Sequence, residues 1–328
     1  MTSSRRGPSA ASEGVGPFAR GSVSIRIYPH NELPAEAVVA EVCRQAGLAL
    51  ENGFDGVMTS EHHGGFAGYM AQPLQMASFV LAEHDVGWAA AAPLLLPLRA
   101  TALVAEEVAW LQARHPGRVG IGVAAGALPL DFEIAGVEQA DSTRIFKSEL
   151  PRLVAMLRGR DLGQLDEDPA LLACRQNPVQ VLSAAVSATA ATRAARCGAG
   201  ILLEGMSTPA RLARLTGAFD EADGQGSKVL IRRVWLGRSQ SDLIDAQRAV
   251  YESYAAPART FGEDQTIATD DPEKMVAALA AVLSEVGADA LNLRVQLPGI
   301  PHEQVREQIE WIGTTVVDPL KRLWPMTD

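Results

Sequence analysis

Apolar and polar positions alternate with two different periods along the 328-residue chain. Short apolar or β-branched runs occur near residues 23–28, 55–60, 86–93, 118–124, 179–184, 200–204, 228–235 and 288–295. Runs of this length, bounded by turn residues, predict buried strands. Between them lie stretches with helical spacing. In 35–52, Val38, Val39, Val42, Ala46, Leu48 and Ala49 share one side, and Glu36, Glu41, Arg44 and Gln45 the other. The same period predicts helices over 101–114 and 272–286, the second with Asp270 or Asp271 as cap and Pro272 in its first turn. Gly53, Gly198 and Gly287 each stand before a predicted strand, where glycine suits the left-handed conformation that ends a helix.

Eight strands, each followed by a helical stretch, predict an α/β fold of the (β/α)8 TIM-barrel type. The intervals after strands 4 and 7 are much longer than the rest and predict insertions over the barrel mouth. The alternative, an open doubly wound sheet, calls for a glycine-rich turn after its first strand, where this chain has Tyr28–Pro29–His30. Residues 1–21 are rich in Ser, Gly and Ala and predict a disordered tail, leaving 22–328 as one barrel domain.

Hydrophobic residues at 47% and charged residues at 21% fit a globular chain. A net charge of −10 argues against non-specific nucleic-acid binding and against an anionic membrane surface, since both need a positive field. The longest apolar run, 86–98, is interrupted by Pro93 and Pro97 and is too short for a bilayer. Cys43, Cys174 and Cys197 are far apart and form no CxxC, which predicts a reducing, cytoplasmic compartment without disulfides or a zinc ribbon. No HExxH is present, and no metal is expected.

A barrel carries its active site at the carboxyl ends of its strands. There the sequence supplies Tyr28 and His30, Glu61–His62–His63, Ala92–Pro93, Ala124 to Gly126, Ser183 to Ser187, Glu204, Trp235, and Arg294 with Gln296. Glu61–His62–His63 is the densest polar cluster. Strand alternation puts Glu61 and His63 on one side and His62 on the other, so one imidazole can face a pocket and move a proton near neutral pH. The competing reading packs one histidine and solvates the other.

Gly120 to Gly126 reads as GxGxxxG, either a tightly packed small-residue strand or a close approach to a flat ligand. Ser187–Ala188–Thr189 opens a helical stretch, as a cap or as an anion site made of free backbone N–H groups. Ala89 to Ala92 leave room for a broad planar ligand, and the Ala92–Pro93 bond can be cis. Tyr28, Glu204 and Trp235 are placed in the substrate pocket. Arg232–Arg233 is either a solvated pair or one inward guanidinium. The strand-end lining reads as small and apolar with few fixed charges, which predicts a hydrophobic or neutral substrate. No GxSxG elbow is present, and nothing around the cysteines supports a nucleophile.

Gly53 to His63 resembles the second-strand signature of bacterial luciferase-like, flavin-dependent monooxygenases. The likeness continues through Leu95 to Arg99, Val104 to Ala109, Gly117 to Val123, Gly126 with Asp131–Phe132, Ser187 to Thr189 with Ala194 to Gly198, and Asp271–Pro272–Glu273 with Gly287–Ala288–Asp289. The resemblance spans roughly 23–325. It implies reduced FMN as co-substrate, oxygen, a separate NAD(P)H-dependent flavin reductase and a homodimer. By position, His62 matches the family's active-site histidine, with Glu61 orienting it and His63 supporting. Ser187, Ala188 and Thr189 match the flavin-phosphate loop. Ala92 and Pro93 match the bulge under the isoalloxazine ring, and Ala125 and Gly126 the cofactor wall after strand 4. The family's phosphate arginine is replaced by Ala125. The implied reaction is oxygenation of a small, mainly apolar molecule through a C4a-peroxyflavin. The alternatives are deazaflavin-dependent hydride transfer and a non-catalytic flavin-binding barrel.

Overall fold

The computed structural model describes residues 15–64, 66, 69–254 and 264–324. Among these described residues are nine parallel strands: β1 Val23–Arg26, β2 Gly56–Thr59, β3 Trp88–Leu95, β4 Val119–Ala124, β5 Gln180–Ala184, β6 Gly200–Leu203, β7 Lys228–Leu236, β8 Ile267–Thr269 and β9 Ala290–Arg294. The sheet runs β6-β5-β4-β3-β2-β1-β9-β7, and a β6–β7 pairing closes it into a barrel. These eight are the predicted strands. The ninth, β8, is a half-buried three-residue strand that extends only the far end of β7. It is too short to leave a pattern.

The helices follow the local signals. Ala35–Glu51, Thr101–Arg114 and Pro272–Val286 match the predicted stretches. Asp271 caps the last, accepting from Glu273 N and Lys274 N. Gly53, Gly198 and Gly287 have φ of 94°, 80° and 66°, the left-handed conformation expected at these helix-to-strand junctions. The long intervals hold added elements. Helices Pro129–Ala135, Ser142–Met156 and Pro169–Ala173 lie between β4 and β5. Helix Ser241–Tyr254 and β8 lie between β7 and β9, ahead of Pro272–Val286.

Apolar packing is divided by the sheet. A large cluster fills the space between strands and helices, and a smaller one fills the barrel interior. The interior cluster comprises Phe18, Met58, Trp88, Ala90, Ala92, Leu182, Leu202, Val229 and Ala290. Phe18 meets Trp88 edge to face at 5.2 Å. Residues 15–21 therefore depart from the expected tail: Phe18 is 1% exposed and plugs the amino end of the barrel. The rest of that tail, 1–14, lies outside the described residues.

This plug explains the small residues of the neighbouring strands. A Cβ on Gly56 would come within 2.1 Å of the Trp88 indole, one on Gly120 within 2.7 Å of Phe18, and one on Gly122 within 2.8 Å of Ala92. The glycines of β4 thus serve packing and not ligand approach. Gly56→Ala is expected to cost about 1–3 kcal/mol through overpacking, read as a lower denaturation midpoint at unchanged m-value.

Candidate active site

Inward side chains near the carboxyl ends of the strands surround one cavity of about 370 Å³. That is within the usual range for a small-molecule site. Its wall takes Arg26 and Tyr28 from β1 and its loop, and Ser60, Glu61, His62 and Tyr69 from the loop after β2. Beyond these come Pro93 and Leu95 of β3, Ala124 to Leu128, Ala184, Val186, Glu204 to Met206, and Arg233 and Arg294.

His62 is held by a group on a different element. Its Nδ1 lies 2.7 Å from Asp131 Oδ2, and the backbone N of His63 donates to Asp131 Oδ1 at 2.8 Å. Asp131 is 1% exposed, on helix Pro129–Ala135 of the first insertion. A carboxylate accepting from Nδ1–H selects that tautomer and leaves Nε2 as the acceptor in the neutral ring. His62 lines the cavity and packs against Tyr69 at 4.5 Å between ring centroids.

Glu61 has a different task from the one expected. It does not orient His62. Its carboxylate accepts from Leu95 N at 2.5 Å and Arg99 Nη2 at 2.5 Å, and pairs with His63 Nε2 at 3.1 Å. It ties the loop after β2 to the end of β3. His63 is thereby drawn to Glu61 while His62 turns to Asp131, the divergence that strand alternation predicts.

Other expectations need correcting. Ala92 is fully buried in the interior cluster and does not line the cavity; Ala92–Pro93 is cis, and Pro93 and Leu95 form the wall. The β3–β4 register shifts between Ala91 and Leu94, which changes the residues presented beyond it. Trp235 is 8% exposed in the helix-side core, on the part of β7 that pairs with β8, and is absent from the cavity wall. Ser187, Ala188 and Thr189 are exposed at the start of helix Ala188–Cys197, where Ser187 Oγ accepts from Ala190 N at 3.3 Å. Their neighbour Val186 lines the cavity. Arg211, from helix Pro209–Asp220, donates to Val186 O at 3.3 Å. His30 is buried between Glu32 and Gln45 and takes no part.

The wall is also more charged than expected. Arg26, Arg233 and Arg294 all face the cavity, together with Tyr28, Tyr69 and Tyr251. Arg233 is the inward guanidinium of its pair, while Arg232 is buried at 1% exposure against Gly205 O and Gln265 O. Burial, followed by repulsion from Arg294, lowers the Arg233 pKa to about 10. Burial pushes the Tyr69 phenol well above its ordinary value, and its hydroxyl bonds that of Tyr251. The cysteines stay outside this chemistry: burial pushes the Cys43 thiol up to about 12. Among the described residues no group of three or more His, Cys, Asp or Glu is placed to hold a metal ion, and no helix is long and apolar enough to cross a membrane.

A closed parallel barrel with an Asp–His pair beside a cavity at the carboxyl ends of its strands has the build of a TIM-barrel enzyme. A family model described as luciferase-like monooxygenase matches residues 20–318, and the chain belongs to that family, a class of flavin-dependent oxidoreductases. No curated protein matches it. Among solved structures, monooxygenase RslO1 from Streptomyces bottropensis is similar at TM-score 0.70 and 18% identity, over 90% of this chain and 99% of that one. The oxygenating constituent of 3,6-diketocamphane monooxygenase from Pseudomonas putida, in complex with FMN, is similar at TM-score 0.68 and 14% identity, over 90% and 98%. An F420-dependent secondary alcohol dehydrogenase with an F420-acetone adduct is similar at TM-score 0.67 and 14% identity, over 91% and 98%.

Proposed function

We propose that this chain is an FMN-dependent monooxygenase, with His62 as the proton-handling residue of its site. The observation that carries the reading is the Asp131–His62 pair, which fixes one ring nitrogen and leaves the other for the cavity. The cavity wall fits a flavin. Ala124, Ala125, Gly126 and Ala184 form a low shelf without bulky side chains, suited to a flat ring. Ser187, the free N–H groups opening helix Ala188–Cys197, and Arg211 are the groups that would hold the phosphate. Arg211 would thus stand in for the family arginine replaced by Ala125.

When bound, reduced FMN supplies the two electrons that split dioxygen, one oxygen atom passing to the substrate and the other leaving as water. The chain's own part is positional and electrostatic. Leu95, Leu128, Met206 and Ile231 keep bulk water from the ring. His62 Nε2 accepts or returns a proton, with Asp131 holding the ring at a fixed angle and stabilising its charged form. By the family relation, a separate NAD(P)H-dependent reductase supplies the reduced flavin to a homodimer in the cytoplasm.

Oxygen uptake tests this reading. Purified chain supplied with reduced FMN by an added reductase is expected to consume oxygen in step with substrate. Anaerobic reduction of deazaflavin F420 by a substrate, without oxygen uptake, would replace it with hydride transfer. Flavin binding without turnover would leave a binding protein.

A further inference from the structure

Arg26, Arg233 and Arg294 stand in one row across three adjacent strands. Arg26 of β1 is the register partner of Arg294 of β9, and Arg294 is the register partner of Arg233 of β7. All three face the cavity. Like charges directly opposed across strands destabilise a sheet, so three in succession need a compensating partner.

Among the described residues their hydrogen-bond partners are neutral. Arg26 Nε donates to Asn292 Oδ1 at 3.0 Å, Arg233 Nη2 to Gln247 Oε1 at 2.5 Å, and Arg294 Nη2 to Tyr251 Oη at 3.5 Å. Arg26 Nη2, Arg233 Nε and Arg294 Nε are buried and bond nothing among the described residues. Arg26 is 3% exposed. No ion pair joins any of the three to a carboxylate among the described residues. Glu61 bonds Arg99 and Leu95 N, Glu204 accepts from Ser207, and Asp264, on the same cavity wall, attracts Arg233 only through space while accepting from Thr266. Burying cations without a directly bonded carboxylate is costly, and an arrangement made for stability would pair them.

We propose that the substrate of this site carries a carboxylate, received by the row Arg26–Arg294–Arg233, and an apolar body that reaches toward His62. The proposal rests on the flavin-enzyme reading of the cavity and names the substrate class for it. Guanidinium groups with unused N–H donors match the planar, two-oxygen geometry of a carboxylate. The path from the row to His62 is aromatic. Arg294 Cζ lies 4.6 Å from the Tyr28 ring centre, Tyr28 meets Tyr69 at 5.3 Å, and Tyr69 meets His62 at 4.5 Å. Val186, Met206 and Ile231 add aliphatic wall. The anionic head thus fixes the register of the substrate, and the tyrosines guide its body past the imidazole.

The test is calorimetric titration of the full chain, with and without FMN, using octanoate, octanesulfonate and octanamide as probes. A charge-assisted hydrogen bond is worth about 1.5–3 kcal/mol, which converts to roughly a ten- to hundredfold preference. Octanoate is expected to bind at least about tenfold more tightly than octanamide in wild type. Arg233→Gln is expected to abolish that preference while leaving FMN affinity within about twofold, and to unfold at a temperature equal to or above wild type, since it removes a half-buried charge that no carboxylate bonds directly. Equal binding of octanoate and octanamide to the wild-type protein, which needs no variant, overturns the proposal. So does tighter binding of octanesulfonate than octanoate, or a loss of FMN affinity in Arg233→Gln with octanoate unchanged. A carboxylate preference in a chain that fails to bind FMN would sink the flavin reading and uphold the arginine row as a carboxylate site, though not as the substrate site of a flavin enzyme.

Discussion

Glu61→Ala is expected to lower the free energy of unfolding by about 3 kcal/mol, the lower end for breaking a buried ion pair, because Arg99 retains some solvent. The Glu61 side chain is fully buried, and its two oxygens serve Leu95 N, Arg99 and His63. Alanine leaves the buried Leu95 N–H without its acceptor and the guanidinium without its counter-charge. The loop after β2 then loses its anchor to β3. Glu61→Gln keeps an oxygen for the backbone and is expected to lose clearly less. Chemical denaturation of the three proteins checks the order. Equal stability of Glu61→Ala and wild type would refute the anchoring role assigned here.

His62→Ala is expected to cut turnover about a hundredfold, the usual worth of acid–base help, or about 2.7 kcal/mol on the barrier. FMN affinity should stay nearly constant, because the shelf and the groups beside Val186 are untouched. Asp131→Asn should lower turnover by at least as much: with its one amide oxygen taken by the His63 N–H, its NH2 faces His62 Nδ1 and reverses the tautomer, so that Nε2 no longer accepts. Steady-state oxygen uptake with flavin titration separates these effects. Full turnover by His62→Ala would remove the imidazole from the chemistry.

The two experiments divide a motif that looks uniform in the sequence. Glu61, His62 and His63 are adjacent, yet one holds the scaffold and another faces the cavity. Strand alternation made the divergence legible, because it depends only on backbone geometry. It gave no access to Asp131, which lies 69 positions away on an inserted helix. No local pattern links the two.

The barrel itself was legible for a local reason. Its strands are buried on both faces and read as short apolar runs, and its helices end on left-handed glycines. The Phe18 plug and β8 were not, since each depends on tertiary contact with Trp88 or with the far end of β7. Trp235 was misplaced because β7 runs past the barrel rim to pair with β8. Ala92 was misplaced because the register shift in β3 hands the cavity wall to Pro93 and Leu95.

The arginine row was half legible. Tyr28 in a cavity implies Arg26 two residues earlier on the same face, and Arg294 stands at a strand end. Their side-by-side register with Arg233 is a property of strand pairing, which the one-dimensional pattern does not contain. The expectation of a neutral lining failed for that reason.

Whether the cavity at the carboxyl ends of the strands is where flavin binds is tested most directly by filling it. Ala184 lines the shelf and is half-buried, so Ala184→Trp would occupy the space assigned to the ring. Wild type and variant would be titrated with reduced FMN under nitrogen, with circular dichroism confirming an intact barrel. Saturable binding by wild type and its loss in Ala184→Trp is the predicted result; equal binding by both, or none by wild type, would contradict it.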